Sequence, residues 1–324
     1  MLSSFRRQYL ALLFISISLT LTASTLPTDS IPRFSGLAIN STEQTNTARL
    51  WTVAGTHAAI WGACFVVLNK AWYADYKRVP FHFFNDNNEW LQMDKGGHIW
   101  TAYLVSRLST NMWKWTGLPE KKAVILGGAA AIAFQSIIEV QDGFSQEWGF
   151  SIGDMTANVI GAAAYVSQQL TWKEQRILIK FSSFPYSYPA DLKVRRDQLS
   201  GTSYAERILK DYNGQTYWLS ANIKSFFPET RLPAWLNISV GYAGRGMLGG
   251  TENRWTDKSG LPHDRTDIAR TRHFYLSPDI DLSRIKTSHK WLSSVLSVVN
   301  IIKIPAPALE IGSGGKFRLS AIQF

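Results

Sequence analysis

Four long apolar segments dominate the first half of this 324-residue chain. A few polar side chains interrupt each segment at a spacing that suits one face of an α-helix, which predicts helices over about residues 49–76, 94–115, 120–142 and 154–172. Within the third segment, the uncharged run from Ala123 to Ile138 is 16 residues long, which is short for a complete membrane crossing. Buried core helices and membrane-embedded helices are both compatible with this half.

The pattern changes after Trp172. Residues 173–196 are basic and contain two prolines, residues 205–227 predict one or two amphipathic helices, and residues 251–270 predict a mobile polar loop. Alternating apolar and polar residues predict strands at 236–242, 273–282, 308–311 and 316–324, with a helix at about 291–302. The expected fold is mainly α: a helical bundle of about four apolar helices over 48–172, followed by a peripheral α+β region over 173–324 with a few antiparallel strands.

The N-terminal residues have the pattern of an export signal. Residues 1–24 combine Arg6 and Arg7 with an apolar run of about 14 residues, and small residues follow it. An uncleaved anchor in the inner membrane is the alternative interpretation. Residues 25–47 are rich in Thr, Ser, Asn and Pro and predict a linker. The only cysteine, Cys64, lies in an apolar segment, so the fold must be held together by packing rather than by a disulfide.

The positive charge is concentrated in the second half. Residues 1–172 hold 12 basic and 11 acidic side chains, so 22 basic and 13 acidic side chains belong to residues 173–324, an excess of nine positive charges. Such a region suits anionic lipid, lipopolysaccharide or nucleic acid. Because the export signal places the protein outside the cytoplasm, the predicted partner is membrane lipid or a lipid-linked precursor, and not nucleic acid.

Polar side chains recur at helical spacing inside the apolar segments. The candidate site residues are Asp94, Lys95, His98, Gln135, Glu139, Asp142, Asp154 and Asn158. Asp94 and His98 are four residues apart and share one helix face. Because an isolated acid is costly to bury, these side chains should meet each other or a cation. We therefore expect them to face one interior spot, with the acids and His98 as candidate catalytic groups and with Lys95 and Asn158 as polar support.

Three interpretations of this cluster are open. Carboxylates with one histidine could bind Mn²⁺, Zn²⁺ or Mg²⁺, or could act as acid and base on a phosphate or glycan-lipid bond. A buried polar network that sets the helix register is the second interpretation. In the third, Asp94 and Asp154 merely occupy first turns of helices, where the helix dipole favours a negative charge. A compact metal motif such as His-Glu-x-x-His is not found in the sequence, so the cofactor is left undetermined.

Three motifs carry a family resemblance. They are Asp94-Lys95-x-x-His98, Ile138-Glu139-x-x-Asp142-Gly143 and Gly153-Asp154-x-x-Ala157-Asn158-x-x-Gly161. In this order they resemble the YfiM-like family of predicted periplasmic lipoproteins of unknown function, over about residues 88–170. The tail at 275–282 and 304–310 resembles longer, Bacteroidetes-type members of that family. A weaker likeness runs to VanZ-like membrane proteins. The chain departs from the lipoprotein pattern because no cysteine follows the apolar segment at the N-terminus.

The sequence thus predicts an exported, membrane-associated protein of a Gram-negative cell envelope. The first hypothesis is a protein that binds or organises lipid or a lipid-linked envelope precursor, with the basic half contacting anionic headgroups. The alternative is a hydrolase of a phosphate or lipid-linked substrate that uses Asp94, His98, Glu139 and Asp154. A third hypothesis places the alternating C-terminal strands in a small barrel of the outer membrane, for which the sequence shows too few strands.

Overall fold

The computed structural model describes residues 45–69, 73, 77–257, 259–312, 315 and 317–324. The predicted export signal at 1–24 and residues 25–44 of the predicted linker lie outside the described residues.

Eight α-helices form within the described residues. Their bounds are α1 Thr47–Leu68, α2 Met93–Trp115, α3 Glu120–Asp142, α4 Ile152–Trp172, α5 Lys193–Ser200, α6 Tyr204–Lys210, α7 Ile223–Phe226 and α8 Lys290–Val299. Three of the four long helices match their predicted segments to within two residues, whereas α1 ends at Leu68 and most of the predicted continuation to residue 76 lies outside the described residues. Side-chain caps begin two of them: the Arg49 amide donates to the Asn46 side chain at 3.0 Å, and the Asp154 amide donates to the Ser151 hydroxyl at 3.0 Å. Ser151 is therefore the N-cap residue of α4.

Eight strands lie in the C-terminal part of the described chain. They are β1 Ile177–Ser183, β2 Gln215–Asn222, β3 Leu236–Arg245, β4 Arg254–Thr256, β5 Pro262–Asp264, β6 Thr271–Ile280, β7 Ala306–Gly312 and β8 Phe317–Gln323. Six of them form one antiparallel sheet in the order β1-β2-β3-β6-β7-β8, while β4 and β5 form a separate two-stranded ribbon. The predictions of helices in the first half and antiparallel strands in the second are confirmed.

The described residues group into two compact units. The first contains the described residues up to Phe84 together with Ala102–Thr171, and the second contains Asn85–Thr101 together with Trp172–Phe324. The chain passes from one unit to the other within α2, whose first nine residues belong to the second unit.

Small residues let the helices of the first unit approach closely. A Cβ atom added to Gly127 of α3 would lie 2.8 Å from the Ser106 carbonyl oxygen of α2 and would also overlap the Thr110 side chain. One added to Gly128 would lie 2.5 Å from the side chain of Val166 in α4. Since real Cβ atoms do not come so close to other atoms, the helix spacing depends on these glycines.

The sheet of the second unit buries a face that is largely polar. Lys180 of β1 and Asp279 of β6 are both fully buried, and their charged groups lie 2.8 Å apart. The Ser220 hydroxyl donates to the same carboxylate at 2.6 Å, and the Asn237 amide donates to Ser220 at 2.9 Å. A cluster of Trp218, Ala243, Tyr275 and Ala308 completes the buried face. Successive residues of a strand alternate between faces, so the opposite face receives the intervening residues, among them Leu219, Val240 and Leu276.

Three sequence predictions for residues 173–324 are wrong. Residues 177–183 are a sheet strand rather than part of a peripheral layer, and within the predicted helical stretch 205–227 residues 215–222 form β2. Each segment has three consecutive apolar residues, at 177–179 and 217–219, in place of a strict alternation, and so short a segment does not separate helix from strand without its partners. The predicted loop at 251–270 contains the β4–β5 ribbon, and Asn253 anchors it through hydrogen bonds to the carbonyls of Gly246 and Ile268.

Candidate functional site

A left-handed turn directly precedes the Asp94 helix in the second unit. Trp90, Leu91 and Gln92 have φ angles of 46°, 50° and 61°, three successive non-glycine residues in the left-handed region. Each such residue costs about 1–2 kcal/mol relative to right-handed backbone. Such a conformation persists only where the surrounding structure imposes it.

Contacts from distant parts of the second unit hold this turn. The Trp90 amide donates to the Gly250 carbonyl at 2.7 Å, and the Tyr242 hydroxyl donates to the Leu91 carbonyl. The Gln92 side chain donates to the Asn87 carbonyl at 2.6 Å and accepts from Arg272 at 2.8 Å. Leu91 is buried, as is Met93, the first residue of α2. These contacts orient the start of α2 and therefore the side chains of its first turns.

Asp94, Lys95 and His98 form one polar cluster in the second unit. Asp94 Oδ1 accepts a hydrogen bond from the Tyr212 hydroxyl at 2.9 Å and lies 3.8 Å from His98 Nε2. Lys95 Nζ lies 2.6 Å from Asp86 Oδ1 and 3.4 Å from Asp94 Oδ2. The side chains of Asp94 and His98 are 25% and 16% exposed, so this cluster is reachable from solvent. An oxygen and an imidazole nitrogen at this spacing suit a proton relay or two ligands of a borderline metal ion.

The glycines of this motif bring a tyrosine ring against the helix. A Cβ atom at Gly96 would lie 2.5 Å from Cδ2 of Tyr217, and one at Gly97 would lie 3.1 Å from the Tyr217 hydroxyl oxygen. The Tyr217 hydroxyl donates to the Gln215 side chain at 2.8 Å. The pair Gly96-Gly97 is therefore explained by the close approach of β2 to α2.

Two neighbouring groups have shifted pKa values. Burial raises the pKa of Glu89 above its ordinary value, and the nearby charges of Asp86 and Asp94 raise it further. Burial also raises the pKa of Tyr217, with a smaller contribution from Asp94. Both shifts have the same main cause, which is the cost of placing a charged group in a partly buried environment.

The first unit contains a second polar cluster. Glu139 of α3 is 1% exposed and Asp154 of α4 is 5% exposed, although both lie in apolar helices. Glu139 Oε2 accepts from the Ser151 amide at 3.3 Å, and the Ser151 hydroxyl caps α4. A buried hydrogen bond of 3.0 Å joins the Gln135 amide to Asn158 Oδ1. The predicted residues on α3 and α4 therefore lie on the facing, buried sides of the two helices.

Asp142 has a different environment. Its carboxylate accepts a hydrogen bond from the Tyr73 hydroxyl at 2.6 Å. The side chain sits at the last residue of α3 and is only partly buried. Asp142 thus accepts a hydrogen bond from Tyr73 at the end of α3, in the same unit as Glu139.

The structure groups the predicted residues into two sets. Asp94, Lys95 and His98 belong to the second unit, while Gln135, Glu139, Asp142, Asp154 and Asn158 belong to the first. Convergence of both sets on one spot stays a prediction. Within each unit the contacts agree with a polar network, and Asp94 and Asp154 do lie in first turns of helices, as the third interpretation states.

Sequence reasoning missed four residues of these clusters: Asp86, Glu89, Tyr212 and Tyr73. Asp86 and Glu89 lie in the Asn-rich connection before α2, within nine residues of Asp94 and Lys95. This closeness in sequence was a signal that they could belong to the same polar cluster. Tyr212 lies 118 residues from Asp94 in sequence, so no local spacing reveals the contact.

A comparison with protein families finds one similarity. The model of a family described as predicted periplasmic lipoprotein (DUF2279) matches residues 82–169, which contain all of the candidate site residues. No curated protein and no solved structure matches the chain. The similarity confirms the prediction of an exported protein of the periplasm or cell envelope of a Gram-negative bacterium, with an unknown activity. It lends no support to the hydrolase alternative, and the YfiM-like and VanZ-like resemblances stay predictions.

Proposed function

We propose that this cell-envelope protein associates with membrane lipid through the helices of its first unit, and there binds or organises lipid or a lipid-linked precursor. One observation carries the proposal: beyond the exposed Lys121 and Lys122 of its first turn, the exposed side of α3 is apolar. Every exposed position from residue 125 to residue 140 is apolar, namely Ile125, Leu126, Ala129, Ala133 and Val140. At the helical rise per residue, this stretch is about 24 Å long.

Helix α4 also buries polar side chains. Its buried side carries Asp154, Asn158, Gln168 and Gln169, whereas its exposed side combines apolar residues such as Val159 and Ile160 with uncharged polar ones and holds no charged side chain. A helix on the surface of a water-soluble protein has the opposite arrangement, with its polar side in solvent. Polar side chains that face the interior of a helical unit are the arrangement that suits a lipid environment.

Helix α1 agrees with this pattern. Its exposed positions from Trp51 to Val66 carry no charged side chain, and Trp51 itself is 70% exposed. Within the described residues, α3 alone is long and apolar enough to span a membrane by length and composition, and half of its most apolar stretch is buried. Since core helices of soluble proteins meet the same length criterion, the proposal depends on the exposed faces and not on helix length.

Flotation of the full-length protein with vesicles of phosphatidylethanolamine and phosphatidylglycerol tests the proposal. We expect the protein to float with the vesicles. Ile125→Asp combined with Ile160→Asp should reduce the bound fraction by at least tenfold, because an aspartate at the centre of a membrane helix costs about 2.5–3.5 kcal/mol. The double variant should keep its fold in detergent, since both isoleucines are about half exposed.

Matched substitutions control for the added charge. Asn111 and Gln146 are exposed polar residues of the same unit, so Asn111→Asp combined with Gln146→Asp should float like the unmodified protein. Equal flotation of both double variants, or failure of the unmodified protein to float, would contradict the proposal. Vesicles that contain a polyprenyl-phosphate-linked sugar distinguish the two lipid sources: tighter binding than to the plain vesicles indicates a lipid-linked precursor.

A further inference from the structure

The outward face of the six-stranded sheet in the second unit carries a continuous ladder of apolar side chains. Five residues on five adjacent strands pair directly across the sheet: Leu219, Val240, Leu276, Leu309 and Leu319. Cross-strand neighbours on one face stand about 4.5–5.5 Å apart, so the ladder forms one surface. Leu219 is 55% exposed and Leu319 is 78% exposed.

A second ladder runs beside the first. It consists of Tyr217, Tyr242, Phe274, Ile311 and Phe317, in the same strand order. Phe274 and Phe317 are among the large exposed apolar side chains of the chain. Tyr217 and Tyr242 contact α2 and the turn before it, so the second ladder is open only from Phe274 to Phe317. There it widens the first ladder into an apolar surface rather than isolated exposed leucines.

The opposite face of the sheet is buried and carries many polar side chains, which is the reverse of the usual distribution in a water-soluble protein. The buried side holds the ion pair of Lys180 and Asp279 and the hydrogen-bonded side chains of Ser220 and Asn237. An antiparallel sheet with one wet face normally turns its apolar residues to the core and its polar residues to water. Here the strands bury polar residues beside the cluster of Trp218, Ala243, Tyr275 and Ala308, and their exposed face is apolar, as in strands that face lipid.

The segments next to the sheet carry interfacial residues. The connection from β2 to β3 exposes the aromatic residues Phe227 and Trp235, and it contains Lys224 and Arg231 with one acid, Glu229. Tryptophan and basic residues are typical of the boundary between hydrocarbon and headgroups. In α8, the exposed residues Trp291, Val295 and Val299 recur at steps of four and form one apolar stripe.

We infer that the outward face of this sheet is a lipid-contact surface, which lies against the acyl chains of an anionic membrane. The inference rests on the proposed association with membrane lipid and extends it to the second unit. The positive charge of this region favours membrane lipid, rather than a second copy of the chain, as the partner that covers this face. Residues 173–324 carry an excess of nine positive charges, which repel those of another copy and attract anionic headgroups.

Spin labels on the full-length protein test this inference. In a Cys64→Ala background, which removes the only native thiol, single cysteines replace Leu219, Leu276 or Leu319 and carry a nitroxide. Collision with O₂, which concentrates in hydrocarbon, is compared with collision with a water-soluble nickel chelate, in buffer and in vesicles of phosphatidylethanolamine and phosphatidylglycerol. We expect the ratio of O₂ to nickel accessibility to rise at all three positions when vesicles are added.

Two further labels separate the possible outcomes. Leu261, which is 57% exposed just before β5 and lies outside the six-stranded sheet, provides the matched control and should stay accessible to nickel. A label at Ile125 reports on the first unit.

Sheet labels that behave like the Leu261 label would overturn the inference, even if the Ile125 label enters lipid. Sheet labels shielded from both reagents with or without vesicles would also overturn it, because a second copy then covers the face. A water-exposed Ile125 label beside lipid-exposed sheet labels would contradict only the role proposed for the first unit.

Discussion

At the scale of single residues, the turn before α2 combines three residues of left-handed backbone with a partly buried glutamate, Glu89. Trp90, Leu91 and Gln92 are held in left-handed conformations by hydrogen bonds from β3, β6 and Gly250. The same contacts place Glu89 in a partly buried position, where an added Cβ of Gly250 would lie 2.9 Å from its carboxyl carbon. Burial and the neighbouring acids raise the pKa of Glu89, so its ionised form opposes folding.

We expect Glu89→Gln to stabilise the protein at neutral pH. Because the native pKa of Glu89 lies above its unfolded value, the native state binds the extra proton, and stability falls as pH rises through the interval between the two pKa values. The gain should be about 1 kcal/mol or less, since a half-buried side chain is screened by solvent. Chemical unfolding at pH 7 and at pH 4 measures it, and the gain should vanish at the lower pH.

A second glutamate provides the control. Glu229 is exposed in the connection between β2 and β3, so Glu229→Gln should leave the free energy of unfolding unchanged within about 0.5 kcal/mol. A Glu89→Gln variant that is less stable than the unmodified protein at pH 7 would show that the carboxylate supports the turn.

At the scale of elements, glycine has opposite roles in two helices of the first unit. Gly127 of α3 faces the Ser106 carbonyl and the Thr110 side chain of α2, with no room for a methyl group. Gly55 of α1 is exposed and has no atom within 4 Å of an added Cβ. The same residue type therefore sets a helix contact at one position and only lowers helix propensity at the other.

Gly127→Ala should destabilise the first unit by about 1–3 kcal/mol, because overpacking forces the helix backbones apart. Gly55→Ala should instead stabilise it by up to about 1 kcal/mol through helix propensity. Thermal unfolding followed by helical circular dichroism compares the two variants. A Gly127→Ala variant that is as stable as the unmodified protein, or more stable, would show that α2 and α3 are not in the close contact described above.

At the scale of the whole molecule, both units expose apolar surface, and the charge is uneven. The exposed helix faces of the first unit and the outward sheet face of the second are each inverted relative to a water-soluble protein. The excess of positive charge lies in residues 173–324. Hydrophobic contact and attraction to anionic headgroups should therefore both contribute to membrane binding.

Salt should weaken binding to anionic vesicles more than binding to neutral ones. Attraction between exposed charges is screened as the Debye length shortens from about 10 Å at 0.1 M salt to about 3 Å at 1 M, whereas burial of apolar surface is not screened. Cosedimentation with phosphatidylglycerol or phosphatidylcholine vesicles at these two salt concentrations measures the difference. Equal salt dependence on both vesicle types would argue against a role for the basic residues.

The candidate site was partly predictable from sequence. Spacing identified Asp94 with His98, and Glu139 and Asp154 are buried as their positions in apolar helices indicated. The partners of Asp94 were not predictable, since Tyr212 comes from a short turn far along the chain. Left-handed backbone at Trp90 was not predictable either, because no glycine or asparagine marks it.

By itself, the sequence determined the exported location in the cell envelope, the long helices and the positions of their buried acids, because these features depend on the pattern of neighbouring residues. Only the tertiary structure decided that residues 177–183 and 215–222 are strands, that the sheet buries Lys180 with Asp279, and that its apolar face points outward. Such features arise from contacts between residues far apart in sequence. The hydrogen bond from Tyr242 to Leu91 joins residues 151 positions apart. The free energy of such a contact exists only once the chain has brought both residues together.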